Sequence, residues 1–239
     1  MKNFEMVKNL TLGEIVNINV KAADLFYLYK LQYLCNPNQK LIDAVRESKI
    51  PLNKIHAELS EILQSEDNYY CLEKKDLLEL IKYIVNQHHS FVRSTLQQLD
   101  KFKNFWETQV NGFVIILLID QLTRNTKIHM DKEEKMIFPL IKYLIGTEKF
   151  NERPKSRNYG TVRDHLKQLT AEHEASIELI RKIKSTLNKG VNDFSDRNMI
   201  TEFESSIEQF ESDLYTHIHI ENNVLFPKTI ELENKLTKR

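Results

Sequence analysis

The sequence predicts an all-α protein: an antiparallel four-helix bundle preceded by a small helical N-terminal domain. Three observations lead there. Five glycines and five prolines in 239 residues are too few for a sandwich or barrel, which needs turn residues every 8–12 positions or so. Apolar residues recur at i, i+3/i+4 and i+7 through four long stretches, the period of amphipathic helices. A His-x-x-x-Glu segment closing on Phe-Pro occurs twice, so the C-terminal region reads as a duplicated helix pair.

In chain order, Thr11 to Leu63 reads as three or four short helices: TLGEIV, AADLFYLYKLQYL, a break at Asn36-Pro37-Asn38, KLIDAVRES, and LNKIHAEL opened by Pro51. Gln64 to Cys71 (QSEDNYYC) is polar and aperiodic, which makes it the linker and puts a boundary near residue 70, with domains at 1–70 and 71–239. The first long helix begins near Leu72 and carries Leu77, Ile81, Ile84, Val85, Leu96 and Leu99 on one face. Three more span about Val110 to Leu144, Thr161 to Leu187, and Asp196 to Glu231. The connections are a long basic loop from Gly146 to Gly160 and a short one, NKGVNDFSD.

Composition narrows the function. Lys+Arg and Asp+Glu both number 34, leaving no net charge to attract nucleic acid or an anionic membrane. The longest apolar run, Phe113 to Ile119, is far short of the roughly 20 residues that cross a bilayer, and MKNFEMVKNL lacks the apolar core of a signal peptide. A cytoplasmic protein is expected. Two cysteines, Cys35 and Cys71, make neither a disulfide framework nor a zinc ribbon.

The repeat carries the chemistry. His129 with Glu133, and His217 with Glu221, each put an imidazole and a carboxylate on one helix face a turn apart, so each pair can chelate a metal. His88 and His173 sit at matching offsets in the preceding helices, and a four-helix bundle brings all six toward one interior layer. Six such ligands suggest two metals, because a single zinc is satisfied by about four and structural zinc favours cysteine. Imidazole and carboxylate suit iron or manganese, and the best fit is two Fe ions with an oxo or hydroxo bridge and Glu133 and Glu221 as bridging carboxylates. His89 and His219 lie about 100° and 200° round the helix from His88 and His217 and are expected to face elsewhere. Glu134 and Glu172, next to ligands, are placed to orient imidazoles. Phe138-Pro139 and Phe226-Pro227 are expected to bend helix ends over the site.

These segments, with His88 in IVNQHHSF and His173 in LTAEHEAS, resemble the hemerythrin-like domain of the RIC (repair of iron centres) proteins, bacterial di-iron proteins with a small cysteine-bearing N-terminal domain. The resemblance covers almost the whole chain. It implies terminal imidazoles at His88, His129, His173 and His217, bridging carboxylates at Glu133 and Glu221, and induction under nitrosative or oxidative stress. It further implies iron donation to damaged iron–sulfur proteins as clients, and NO or O2 as small ligands; a homodimer is compatible with it. One departure stands out: where the family carries Tyr-Cys-Cys-Gly-Gly, this chain has Leu34-Cys35-Asn36-Pro37-Asn38, which rules out a vicinal dithiol and leaves Cys35 as a lone candidate redox or transfer thiol. Three activities follow: an iron donor for cluster repair, which is favoured; an O2/NO-binding or NO-sensing module; and a di-iron enzyme reducing NO.

Overall fold

A computed structural model describes residues 7–31, 33–34, 36–64, 71–152, 162–190 and 196–238. The expected linker largely coincides with 65–70, most of the long basic loop with 153–161, and Cys35 stands alone; these lie outside the described residues. By packing, the chain divides into two compact units: Met1–Leu80 with Leu214–Pro227, and Ile81–Asp213 with Lys228–Arg239.

The architecture is all-α. In the first unit, α1 (Leu12–Ile18), α2 (Ala22–Leu28), α3 (Leu41–Glu47) and α4 (Leu52–Gln64) are short amphipathic helices around Leu12, Ile15, Phe26, Tyr33, Leu41 and Leu59. Local chemistry starts α1: the Thr11 hydroxyl accepts from Glu14 N at 3.2 Å while Thr11 N donates to the Glu14 carboxylate at 2.7 Å, a capping box. A short 3-10 turn (Leu72–Lys74) follows.

The bundle takes the remaining elements. Its four helical runs are α5–π1–α6 (Leu77–Tyr83, Ile84–His89, Ser90–Lys101), α8–π2–α9 (Gly112–Lys132, Glu133–Ile137, Phe138–Lys149), α10 (Val162–Gly190), and α11–π3–α12 (Arg197–Ile220, Glu221–Leu225, Phe226–Thr237). A single turn, α7 (Lys103–Trp106), bridges the first two. Asp76 and Glu79 cap α5 reciprocally at 2.8 Å each, and Asp196 caps α11 by accepting from Asn198 N and Met199 N. Within the second unit α8 packs along α10, and an aromatic cluster of Phe102, Trp106 and Phe203 fills the core near α7.

Gly112 opens α8 where the chain passes against its own backbone. A Cβ there would fall 1.6 Å from the Trp106 carbonyl oxygen, a clash no rotamer relieves. Gly112→Ala is therefore expected to destabilise the protein by about 1–3 kcal/mol, read as a lowered urea midpoint at unchanged slope.

Two expectations are corrected. The loop assigned from Gly146 does not begin there: α9 runs on to Lys149, since one helical glycine costs only about 1 kcal/mol and buried Leu144 and Thr147 hold the last turns in place. Phe138-Pro139 and Phe226-Pro227, expected to bend helix ends, lie inside helical runs, in keeping with the predicted spans to Leu144 and Glu231. Helix continues past both, and each proline stands two residues after the end of a π turn. Proline has no N–H for the carbonyl four residues back, and its ring collides with that carbonyl; the wider turn accommodates both.

Candidate metal centre

Three π turns carry His88 and His89, Glu133 and Glu134, and Glu221. Phe138 N–H donates to Glu133 O, Phe226 N–H to Glu221 O, and Ser90 N–H to Val85 O, each a five-residue span in place of four. Such turns are rare and shift the phase of every side chain beyond them, which is why they collect at functional sites.

In the second unit, Glu133 is wholly buried. His129 Nε2 lies 3.0 Å from Glu133 Oε1, and His89 Nε2 lies 3.1 Å from Glu133 Oε2. His173 Nε2 lies 3.0 Å from His129 Nε2. In the first unit, His217 Nε2 lies 3.1 Å from Glu221 Oε1, and Glu221 too has no exposed surface. His129 with Glu133 in the second unit, and His217 with Glu221 in the first, are buried imidazole–carboxylate pairs of the composition that can hold a metal ion.

The opposite ring nitrogens face carboxylates. His129 Nδ1 is 3.0 Å from Glu172 Oε2, and His89 Nδ1 is 2.6 Å from Glu134 Oε1. A carboxylate accepting from Nδ1–H places the proton there and leaves the Nε2 lone pair for a metal. Burial works against the charge of Glu134, but hydrogen bonds from His89 and Arg93 outweigh it and hold its carboxyl below the usual range. Glu172 is likewise opposed by burial and held low by Lys132 and His129. His219 is different: burial pushes its imidazole down to about 4, so it is neutral.

The donor set fits a metal ion. Two ligand atoms each roughly 2.0–2.2 Å from one ion, at right angles, stand about 3 Å apart. The four Nε2 separations above all fall at 3.0–3.1 Å. Imidazole with carboxylate, without thiolate, is the chemistry of iron and manganese sites.

Each residue singled out in the sequence can now be located. His129, Glu133 and His173 come together, as do His217 and Glu221. Glu134 and Glu172 orient imidazoles. His88 is buried with Nδ1 turned onto Asp213 Oδ1 at 2.8 Å and its ring edge-on to Tyr83. His89, expected to face away, instead meets Glu133 and stacks on Phe138 at 5.9 Å. A straight 100° step misjudges a residue inside a π turn. Asp213 went unnoticed, although its place four residues before His217 was a visible signal. Cys71 is a half-buried free thiol. Among the described residues no helix is long and apolar enough to cross a membrane.

Comparison with known proteins agrees with this geometry. The chain is 24% identical over 235 residues to the iron-sulfur cluster repair protein YtfE of Yersinia pseudotuberculosis serotype IB (strain PB1/+), covering 95% of this chain and 99% of that one. The protein of the same name in Yersinia pestis (strain Pestoides F) matches at the same identity and coverage. The Hemerythrin HHE cation binding domain matches residues 79–229, a span holding all three π turns and every imidazole–carboxylate pair above. With that span covering well over half its length, the chain belongs to the hemerythrin HHE cation-binding family.

Proposed function

We propose that this protein holds two iron ions in its bundle and supplies iron to iron–sulfur clusters damaged by nitrosative or oxidative stress, acting in the cytoplasm. The observation that carries the reading is a buried set of imidazole and carboxylate atoms at the 3.0–3.1 Å spacing of neighbouring ligands. The cluster-repair name of relatives that match the chain from end to end supports it.

The proposed ligands are His89, His129, His173 and His217, with Glu133 and Glu221 as bridging carboxylates. This set differs from the sequence reading at one position: His89 replaces His88, because it is His89 whose Nε2 meets the Glu133 carboxylate, at 3.1 Å. His89→Ala is accordingly expected to lower the iron retained after purification at least tenfold, whereas His88→Ala keeps it within about twofold of the parent. Metal analysis of the two variants decides between them.

A ferrous pair in such a site supplies exchangeable iron, since ferrous ion stands low in the affinity order of divalent metals. The chain's own residues set the terms. Glu134 and Glu172 hold the ligand imidazoles in one tautomer, and the buried walls keep water from the ligands. A small helical domain at 1–70, bearing Cys35, and a bundle at 71–239 complete the proposed organisation.

The test is reactivation of a damaged iron–sulfur enzyme under anaerobic, reducing conditions. Iron-loaded protein should restore activity well above the level reached with Glu221→Ala protein given the same total iron. Equal reactivation by both would overturn the proposal.

A further inference from the structure

The two halves of the repeat differ at a pair of positions outside the ligand set. In the first half, Asp131 and Lys135 form a surface ion pair at 2.7 Å, with side chains 58% and 71% exposed. The aligned residues of the second half are His219 and Asn223. His219 is fully buried, on the helix face about 200° from His217.

What His219 is buried against is the N-terminal part of its own unit. Its Nε2 is 2.9 Å from Asn17 Oδ1 in α1, and its Nδ1 is 3.2 Å from Asn223 Nδ2. One ring nitrogen donating and the other accepting defines a neutral imidazole: Nε2–H donates to Asn17, and Nδ1 accepts from Asn223. Tyr33 packs on the ring at 5.9 Å, and a Cβ at Gly13 would stand 3.6 Å from His219 Cε1, so α1 lies directly against it.

This contact falls where the helix most needs one. His217 lies on α11 and Glu221 opens π3, so the pair spans an α-to-π junction. The five-residue bond from Phe226 N–H to Glu221 O interrupts the α-helical ladder directly after this pair, so the turn that carries His217 and Glu221 loses regular support on its C-terminal side. An anchor on the opposite face steadies that turn.

We infer that Asn17 is a positioning residue for His217 and Glu221, acting through His219, so that α1 sets how firmly these two side chains grip a metal ion. The inference rests on the metal-holding role proposed above. Only the second half of the repeat is held this way; in the first half the equivalent positions face solvent.

The test compares full-length parent, Asn17→Ala and Asn17→Asp. Aspartate keeps an oxygen acceptor for Nε2–H; alanine removes it. In metal-free protein, amide hydrogen exchange at 217–225 should rise about tenfold in Asn17→Ala, while exchange at 129–137 stays at the parental rate. In protein loaded anaerobically with ferrous iron alone, release to a ferrous chelator should quicken several-fold in Asn17→Ala. Asn17→Asp should track the parent in both. Unchanged exchange at 217–225, an equal rise in both halves, or faster exchange with unaltered iron release would each overturn the inference. A parent that binds no iron would instead sink the proposed function, leaving the exchange comparison to decide this one. Should alanine prevent folding, Asn17→Ser, whose hydroxyl falls short of His219, takes its place with the same readouts.

Discussion

Glu133→Ala protein is expected to emerge from anaerobic purification with its iron reduced at least tenfold. Loss of an outer carboxylate alone costs a metal site 10–100-fold in affinity, and Glu133 is more central. Its two oxygens face two different imidazoles, His129 Nε2 at 3.0 Å and His89 Nε2 at 3.1 Å. Removing it separates both from their shared carboxylate. Stability should follow the same pattern. Added ferrous iron is expected to raise the melting temperature of the parent by binding the folded state alone, and this shift should be absent in the variant. Iron analysis paired with thermal melts under nitrogen checks both statements, and parental iron content in Glu133→Ala would refute the ligand assignment.

The second large effect concerns packing. Trp106→Ala should cost about 3–5 kcal/mol of folding stability, the range for emptying a large aromatic site in a core that relaxes only in part. Trp106 has no exposed surface, meets Phe105 and Phe203 edge-on at 5.0 Å, and shares Phe203 with Phe102. Equilibrium urea unfolding gives the magnitude. A loss below about 1 kcal/mol would mean that neighbouring rings close over the gap. Iron per folded chain, measured on the same samples, separates lost packing from lost ligation.

Particular residues show how far the sequence carries. His129 with Glu133 and His217 with Glu221 were legible because residues four apart on a helix are neighbours whatever surrounds them. The four helical runs were legible from apolar spacing. The choice between His88 and His89 was not. Adjacent histidines differ by about 100°, and a π turn moves the phase by a comparable amount, so the residue that reaches Glu133 depends on where the wide turn falls. Nor were the wide turns just before Pro139 and Pro227, because the predicted helices run to Leu144 and Glu231 with no break in their period.

From its sequence alone this protein is all-helical, built on a repeat, and equipped with histidine and glutamate at chelating spacing, because those properties depend on residue type and on separations of a few residues. The tertiary structure decided which imidazoles meet Glu133 and that Leu214–Pro227 packs with Met1–Leu80. Contacts such as Asn17 to His219 join residues some two hundred positions apart, and no local periodicity encodes them. They arise when buried polar groups from distant segments satisfy one another, and that happens only once the chain has folded.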